Sequence, residues 1–501
     1  MPLINQSAQD HFWQQHYGPH FAPLLDSDNP PPEQAASVAQ TKRLLEFFIA
    51  DSEFRKALVD SPSEATRSRG LAADAQEVRL LWDLPYATLQ TSLRIPTPPS
   101  VQLYRSFIQE KIAHRERLRA RDCAPSQTPH RKWRERQINR CWTQLGEGRT
   151  RAIIHAPFAV ELSKGCSVGC WFCGVSAEKK KEDFLYNEAN TKLWQDSLRA
   201  LGEIFGPAAA QGFCYWATDP LDNPDYERFC LDFARILGRF PQTTTAQAQK
   251  HIPRVRELLK VSREHGCTIN RFSVLSIGAF RKLVEAFTAE ELLFTELVTQ
   301  NFEATMMQSN SGRARGSEKL AKKAEALQLQ HSDEEPGTIA CVSGFLLNMV
   351  DRKVKLVAPC PSSDEWPEGF WVFEEATFSS GAELGAVCQA MINRHMPTSL
   401  RHNDPVAFRP DFKFSATEEG FTLTSYYAKS TLGKMEAGQE LGLLIAANQY
   451  GAGEIALSLE RSHGIAPEQT YLELNSLFQQ GYLHEEPRFF AQKREIREQA
   501  V

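Results

Sequence analysis

From about residue 152 the chain alternates short apolar runs with amphipathic stretches, and this pattern limits the fold more than anything else in it. Apolar or β-branched runs lie at 152–162, 211–217, 243–247 and 269–276. The first stretch between them puts Leu193, Trp194, Leu198, Leu201 and Phe205 on one helical face, and further helices are expected near 225–238, 252–265 and 278–290. Strand–helix pairs of roughly thirty residues make βα units around a parallel sheet. Ligands of such sheets sit on the loops that leave the carboxyl ends of the strands.

Up to about residue 99 the chain reads as helical. Leu44, Leu45, Phe48 and Ile49, then Phe54 and Leu58, recur at the spacing of one helical face, and Pro-Thr-Pro-Pro at 96–99 marks a boundary. Residues 100–151 are rich in arginine, but Glu110, Glu116, Asp122, Glu135 and Glu147 interrupt the run. The expectation is a solvated bridging helix, with no nucleic-acid partner. The core follows over 152–337. A β-rich extension over 338–407 carries strands at Gly344 to Val350, Lys353 to Pro359 and 370–374. Over 408–501 a hairpin (Phe412–Ala416, then Phe421–Tyr427) precedes three short helices, the composition of a winged-helix-like module.

The 501 residues have room for several domains, and a net charge of −5 singles out no partner. The start shows no basic region followed by an apolar stretch, and no run approaches the roughly 18 apolar residues of a membrane span. A cytoplasmic protein with no membrane partner is therefore expected. In that compartment eleven cysteines do not read as a disulfide framework. Three of them are bunched within eight residues. The other eight (Cys123, Cys141, Cys214, Cys230, Cys267, Cys341, Cys360 and Cys388) are scattered without metal-ligand spacing.

The bunched three stand in Glu161-Leu-Ser-Lys-Gly-Cys166-Ser-Val-Gly-Cys170-Trp-Phe-Cys173, directly after the first expected strand. Three thiolates can hold three irons of a 4Fe–4S cluster and leave the fourth open. Three packed structural cysteines are the plainer reading, but position, spacing and the aromatic all agree on the cluster. This Cys-x3-Cys-x-aromatic-Cys pattern resembles the signature of the radical S-adenosylmethionine (SAM) superfamily, over about 150–310. The resemblance implies SAM as co-substrate on the open iron and release of a 5′-deoxyadenosyl radical. It implies Phe172 near the adenine. It also makes Thr218-Asp219-Pro220 the counterpart of the superfamily's Gly-Gly-Glu-Pro loop, with the shorter Asp219 reaching for the SAM amino group. Ser273 then matches a serine facing the methionine or ribose. A capped turn at 218–220 and an ordinary strand serine are the alternatives.

Three further stretches resemble the RiPP recognition element, which binds leader peptides of ribosomally made precursors by adding a strand to a sheet edge. They are Gly420-Phe-Thr-Leu-Thr-Ser, Ala452-Gly-Glu-Ile-Ala and Leu477-Phe-Gln-Gln-Gly-Tyr-Leu. A structural or DNA-binding winged helix would share that outline, though the module is not basic. Residues 51–62 resemble the leader of nitrile-hydratase-leader (proteusin) precursors, or form an ordinary helical pair. Together the chain resembles the radical SAM peptide epimerases of proteusin pathways, which turn L- into D-residues inside a precursor peptide. The fold so implied is α/β: a partial (β/α)6 radical SAM barrel with an N-terminal helical region and a C-terminal winged-helix-like domain.

Epimerisation needs a hydrogen returned from the opposite face, and a cysteine thiol suits that role. Cys360, ending a strand between Pro359 and Pro361, is the expected donor; Cys341 is the alternative, and most of the scattered cysteines are packing. A reducing system for the cluster is an implied partner, besides the precursor peptide. Two other readings stay open. One is a maturase that forms thioether or carbon–carbon crosslinks; the other is a non-catalytic carrier of the peptide.

Overall fold

The computed structural model describes residues 22–25, 27, 30–328, 336–433, 436–487 and 489. Its first part is helical: α1 (Pro32–Ala50), α2 (Ser52–Asp60), α3 (Pro62–Ser68), α4 (Leu84–Leu93), α5 (Pro99–Arg117), α6 (Thr128–Gln144) and α7 (Glu147–Ala152). Asp51 accepts from the amides of Glu53 (2.9 Å) and Phe54 (3.2 Å), ending α1 and starting α2 in one residue. The leader-like stretch 51–62 is thus a helical pair, and its apolar residues Phe54 and Leu58 are buried in the main core.

The βα half follows with β1 (Ala156–Glu161), β2 (Ser163–Lys164), β3 (Glu182–Asp183), α8 (Glu188–Phe205), α9 (Tyr226–Leu237) and β4 (Thr244–Thr245). It continues through α10 (Ile252–Glu264), β5 (Asn270–Val274), α11 (Ile277–Ala286), β6 (Thr295–Thr299) and α12 (Glu318–Ala326). Next come β7 (Val342–Asn348), β8 (Lys353–Pro359), β9 (Phe370–Thr377) and α13 (Gly381–His395). The expected strand at 152–162 is shorter, because α7 continues to residue 152 and His155 turns the chain with a φ of 52°. The expected strand at 211–217 reduces to one parallel bridge, Phe213 to Ala159. β6 and α13 were not foreseen: β6 reads Thr-Glu-Leu-Val-Thr, too polar to stand out as a strand.

β4, β5 and β6 are parallel. β1 is parallel to β7, and β8 and β9 continue that sheet antiparallel, in the order β1-β7-β8-β9. Phe213 flanks β1 on its other side, and Thr244 on β4 donates to the hydroxyl of Tyr215 at 2.9 Å. The result is a mixed α/β fold whose sheets do not close into a barrel among the described residues. Val354, Leu356 and Ala358 on β8 join the large core toward the helices, while Val357 packs on the other face with Phe213, Leu346 and Phe370.

The arginine-rich region departs from its expected solvation. Arg134, Arg136 and Arg140 on α6 are completely buried. Arg134 donates to the carbonyls of His155 (2.8 Å), Ile154 (2.9 Å) and Arg119 (2.8 Å), where the backbone enters β1 without strand partners. A guanidinium carries five donors, so it can satisfy several buried carbonyls at once.

The last part has its own core. β10 (Lys413–Thr417), β11 (Gly420–Thr424) and β12 (Lys429–Gly433) form an antiparallel sheet. α14 (Gly438–Ala446), α15 (Ala452–His463) and α16 (Pro467–Gln479) pack Leu441, Ile445, Ile455, Leu474 and Phe478 against Phe421 and Leu423. The hairpin was expected, and β12 adds a third strand to it. No helix among the described residues is long and apolar enough to cross a membrane.

Candidate functional site

The three bunched cysteines lie on the loop that leaves β1 through β2, and all are half-buried free thiols. Gly165 adopts a φ of +77°, and a Cβ there would come within 2.5 Å of the Lys179 carbonyl oxygen, so the loop closes on itself only with glycine at this point. The Cys166 amide donates to the Glu178 carbonyl at 2.9 Å. Amides also aim at sulfur: the Ala177 amide lies 3.3 Å from Cys173 Sγ, and those of Val168 and Gly169 face the Cys166 thiol. Burial, with Cys166 and Cys173 close by, pushes the Cys170 thiol up to about 12.

Two distant side chains hold this loop. Asp222 accepts from the Ser167 amide at 2.8 Å, from the Ser167 hydroxyl, and from Gln247 Nε2 at 2.8 Å. Arg313 donates to the carbonyls of Cys170 (2.8 Å) and Ala177, and its own amide donates to the Cys173 carbonyl at 3.0 Å. Neither was singled out in the sequence, where they stand 55 and 143 residues from the groups they hold.

Glu161, the last residue of β1, was also missed. Its oxygens accept from the Ala217 amide and from Asn348 Nδ2, both at 2.7 Å. Burial pushes its carboxyl up, against these two hydrogen bonds. Glu161 lines a cavity of about 480 Å³ between the cysteine loop and the sheet, with Lys164, Trp216, Asn348, Lys355 and Trp366. An acidic residue ending a buried apolar strand was the available signal.

The remaining expected residues separate into two groups. Thr218, Asp219 and Ser273 lie on or just after the parallel strands. Asp219 spends both oxygens inside the protein, on Leu221 N (3.0 Å), Thr245 Oγ1 (2.8 Å) and Ala246 N (2.7 Å). It behaves as the capped-turn alternative describes, fixing the turn after Phe213 to the end of β4. The Thr218 hydroxyl, by contrast, is buried without a hydrogen-bond partner among the described residues. Ser273 is half-buried on β5, with Phe272 and Val274 facing the core on the opposite side. Phe172 is half-buried with its ring edge-to-face on Trp171, at 5.3 Å.

Cys360 stands apart from these. β8 runs antiparallel to β7 and so carries Cys360 to the end of the sheet where β1 begins. Its thiol is 1% exposed, pushed up by burial, with Arg140 and Cys141 of α6 within electrostatic reach. It is linked to the cysteine loop through backbone: Cys360 N to Gly369 O, Gly312 N to Pro367 O, and Arg313 N to Cys173 O. Cys341 lies at the same end of the sheet, where burial pushes its thiol up to about 11, against the pull of the nearby Arg271.

Among the described residues no three His, Cys, Asp or Glu side chains converge as ligands of a single metal ion. A 4Fe–4S cluster asks for something else: three thiolates at separate corners of one body, with amide hydrogens toward sulfur. Half-buried thiols within electrostatic reach of each other on one clamped loop, with amides aimed at Cys166 and Cys173, fit that donor set.

Over 460 residues, 91% of this chain and 89% of the relative, the sequence is 36% identical to the uncharacterized protein y4wI of Sinorhizobium fredii (strain NBRC 101917 / NGR234). No family model matches the chain, and no solved structure matches it.

Proposed function

The chain belongs to the family of y4wI of Sinorhizobium fredii, and we propose that it is a radical SAM peptide epimerase that converts L- to D-residues in a ribosomally made precursor. The observation that carries the reading is the clamped loop of Cys166, Cys170 and Cys173 at the carboxyl end of β1, beside a cavity large enough to admit a peptide segment. The parallel strands β4, β5 and β6 with their helices, and the bridge from Phe213 to β1, support an open radical SAM barrel. The sheet β10-β11-β12 with α14, α15 and α16 supports a RiPP recognition element, whose edge strand would take the leader of the precursor.

When bound, a 4Fe–4S cluster with SAM supplies the radical that removes a Cα hydrogen. The residues of this chain then have definite tasks. Cys166, Cys170 and Cys173 hold the irons. Asp222 and Arg313 keep their loop in one conformation. Thr218 and Ser273 offer hydroxyls at the strand ends to SAM, while Asp219 acts through the backbone it holds. Phe172 would pack beside the adenine of bound SAM. Glu161 and Asn348 fix one wall of the substrate cavity. The returning hydrogen is assigned to Cys360, which has to swing its thiol from α6 toward the cavity; Cys341 is the alternative donor. An external reductant would have to supply the electron for a bound cluster and the hydrogen atom that restores the donor thiol.

The test is anaerobic turnover of reconstituted enzyme in deuterated water with SAM, reductant and a precursor peptide, read by mass and chiral amino-acid analysis. One deuterium per new D-residue is expected. A loss of two hydrogens without D-residues would replace epimerisation by crosslinking. Cys360→Ala should still release 5′-deoxyadenosine but yield no D-residue. A D-residue yield equal to wild type from Cys360→Ala, with none from Cys341→Ala, would move the donor to Cys341. Cys170→Ala should lose bound iron and SAM cleavage; full iron content in that variant would overturn the cluster assignment.

A further inference from the structure

At the opposite end of the parallel strands, where they begin, α5 crosses beneath the sheet and closes a second cavity of about 80 Å³. The charged lining is one-sided. Lys111 and Arg115 come from α5, Arg239 from the turn after α9, and Arg271 from β5; among the described residues the only carboxylate lining it is Glu296 on β6. His114 also lines it and is hydrogen-bonded to Arg117 at 3.0 Å. All four cations are half-buried.

Glu296 is already shared. Lys111 Nζ lies 2.8 Å from one of its oxygens, and Arg271 Nε donates to the other at 3.1 Å. Burial alone would raise its carboxyl, but Lys111, Arg271 and Arg115 together hold it down at about 2. Arg239 spends one donor on Thr268 Oγ1, at 2.6 Å. Arg115 makes no ion pair among the described residues. Among the described residues, four cations against one carboxylate leave uncompensated positive charge in a recess walled by Phe213, Phe240 and Ile269. Withdrawing such charge from water costs free energy unless an anion supplies the missing partner.

We propose that this recess is a binding site for a tetrahedral oxyanion, either inorganic phosphate or the phosphate group of a small monoester, held by Arg115 and Arg239 with Lys111 and Arg271 behind them. The volume suits one such group, and guanidinium forks match its oxygens. The site draws on none of the cysteine-loop residues and stands whether or not the epimerase assignment does. Its occupant would pin α5 to the starts of β4, β5 and β6.

The experiment uses the full chain, with phosphate titrated into chloride buffer at constant ionic strength and followed by calorimetry and thermal unfolding. Saturable binding of one phosphate per chain is expected, with a rise in Tm of about 2 °C or more at saturation. Arg115→Gln and Arg239→Gln should each weaken binding about tenfold or more, while Glu296→Gln should tighten it. Arg115 makes no ion pair among the described residues and is half-exposed, so its variant should fold. Glycerol phosphate in place of phosphate distinguishes the two sources: equal affinity supports an ester at the mouth, and a preference for phosphate supports the free ion. Phosphate that shifts Tm no more than chloride, or Arg115→Gln and Arg239→Gln titrating like wild type, would overturn the proposal.

Discussion

The ion pair of Arg136 and Glu485 joins α6 to the chain just beyond α16, and its loss has a calculable cost. Arg136 is completely buried, and its side chain faces a Glu485 carboxylate only 7% exposed. Two of its nitrogens donate to the same Glu485 oxygen, at 3.1 and 3.0 Å, and the guanidinium stacks on Phe478 with 4.0 Å to the ring centroid. Glu485→Gln keeps the shape but leaves the arginine charge without a counter-ion. Breaking a buried pair this way costs about 3–5 kcal/mol, because the remaining charge stays desolvated. That is a large part of a typical domain stability of about 5–15 kcal/mol. With a urea slope of about 2–3 kcal/mol/M, the midpoint should fall by about 1–2.5 M. The double variant Arg136→Met, Glu485→Leu removes both charges and should recover most of the loss. Hydrogen exchange should show α16 opening first in Glu485→Gln. A single variant within about 0.5 kcal/mol of wild type, or a double variant as unstable as the single, would refute the argument.

Further outcomes follow from other contacts. Asp222→Ala removes three hydrogen bonds, two of them to Ser167; the 165–181 loop should become protease-sensitive and iron loading should drop, measured by limited proteolysis and iron assay. A loop as resistant as wild type would show that Arg313 suffices. Burial, reinforced by Arg134, holds the His130 imidazole down at about 3, against an ordinary value near 6.5. Above pH 6.5 both folded and unfolded chains keep this ring neutral, so its contribution is complete. As pH falls from 6.5 toward 3 only the unfolded chain takes the proton, and stability drops by about 1.4 kcal/mol per pH unit. Between pH 7 and 5, His130→Phe should therefore lose about 2 kcal/mol less than wild type in paired urea melts, and equal losses would contradict the burial argument.

Much of this architecture was legible because it depends on local periodicity. α9, α10 and α11 appear within a few residues of their expected spans, since amphipathic spacing and caps such as Ser276 act over a single turn. The cysteine loop was legible for the same reason: its three cysteines fall within eight residues. What escaped depends on distance along the chain. Asp222 and Arg313 look like any surface acid and base until the fold brings them against Ser167 and Cys170. Arg134, Arg136 and Arg140 look solvated because composition cannot show the unpaired carbonyls and the carboxylate that await them. β6 escaped because its neighbour β5 supplies the pairing that its own residues do not advertise. Cys360 was placed correctly at the end of a strand, but alternation along β8 turns its thiol to the helices, a fact that needs the sheet to be assembled.

The stitching of α1 to the far side of the βα half sets a schedule for how this protein can be made. Lys42 donates to the carbonyls of Leu292 and Thr295, both at 2.9 Å, and Arg43 donates to those of Phe287 (3.1 Å) and Thr288 (2.9 Å). The Lys42 and Leu292 partners are 250 residues apart. At roughly 5–20 residues per second of synthesis, α1 waits roughly 10–50 s for β6 to emerge. Through that interval Leu44 and Phe47 have no sheet to cover them, and the β4-β5-β6 strands cannot be sealed at β6 until α1 docks on them. Closure of the β4-β5-β6 sheet is therefore timed by β6, and loss of α1 would leave that strand's outer side bare.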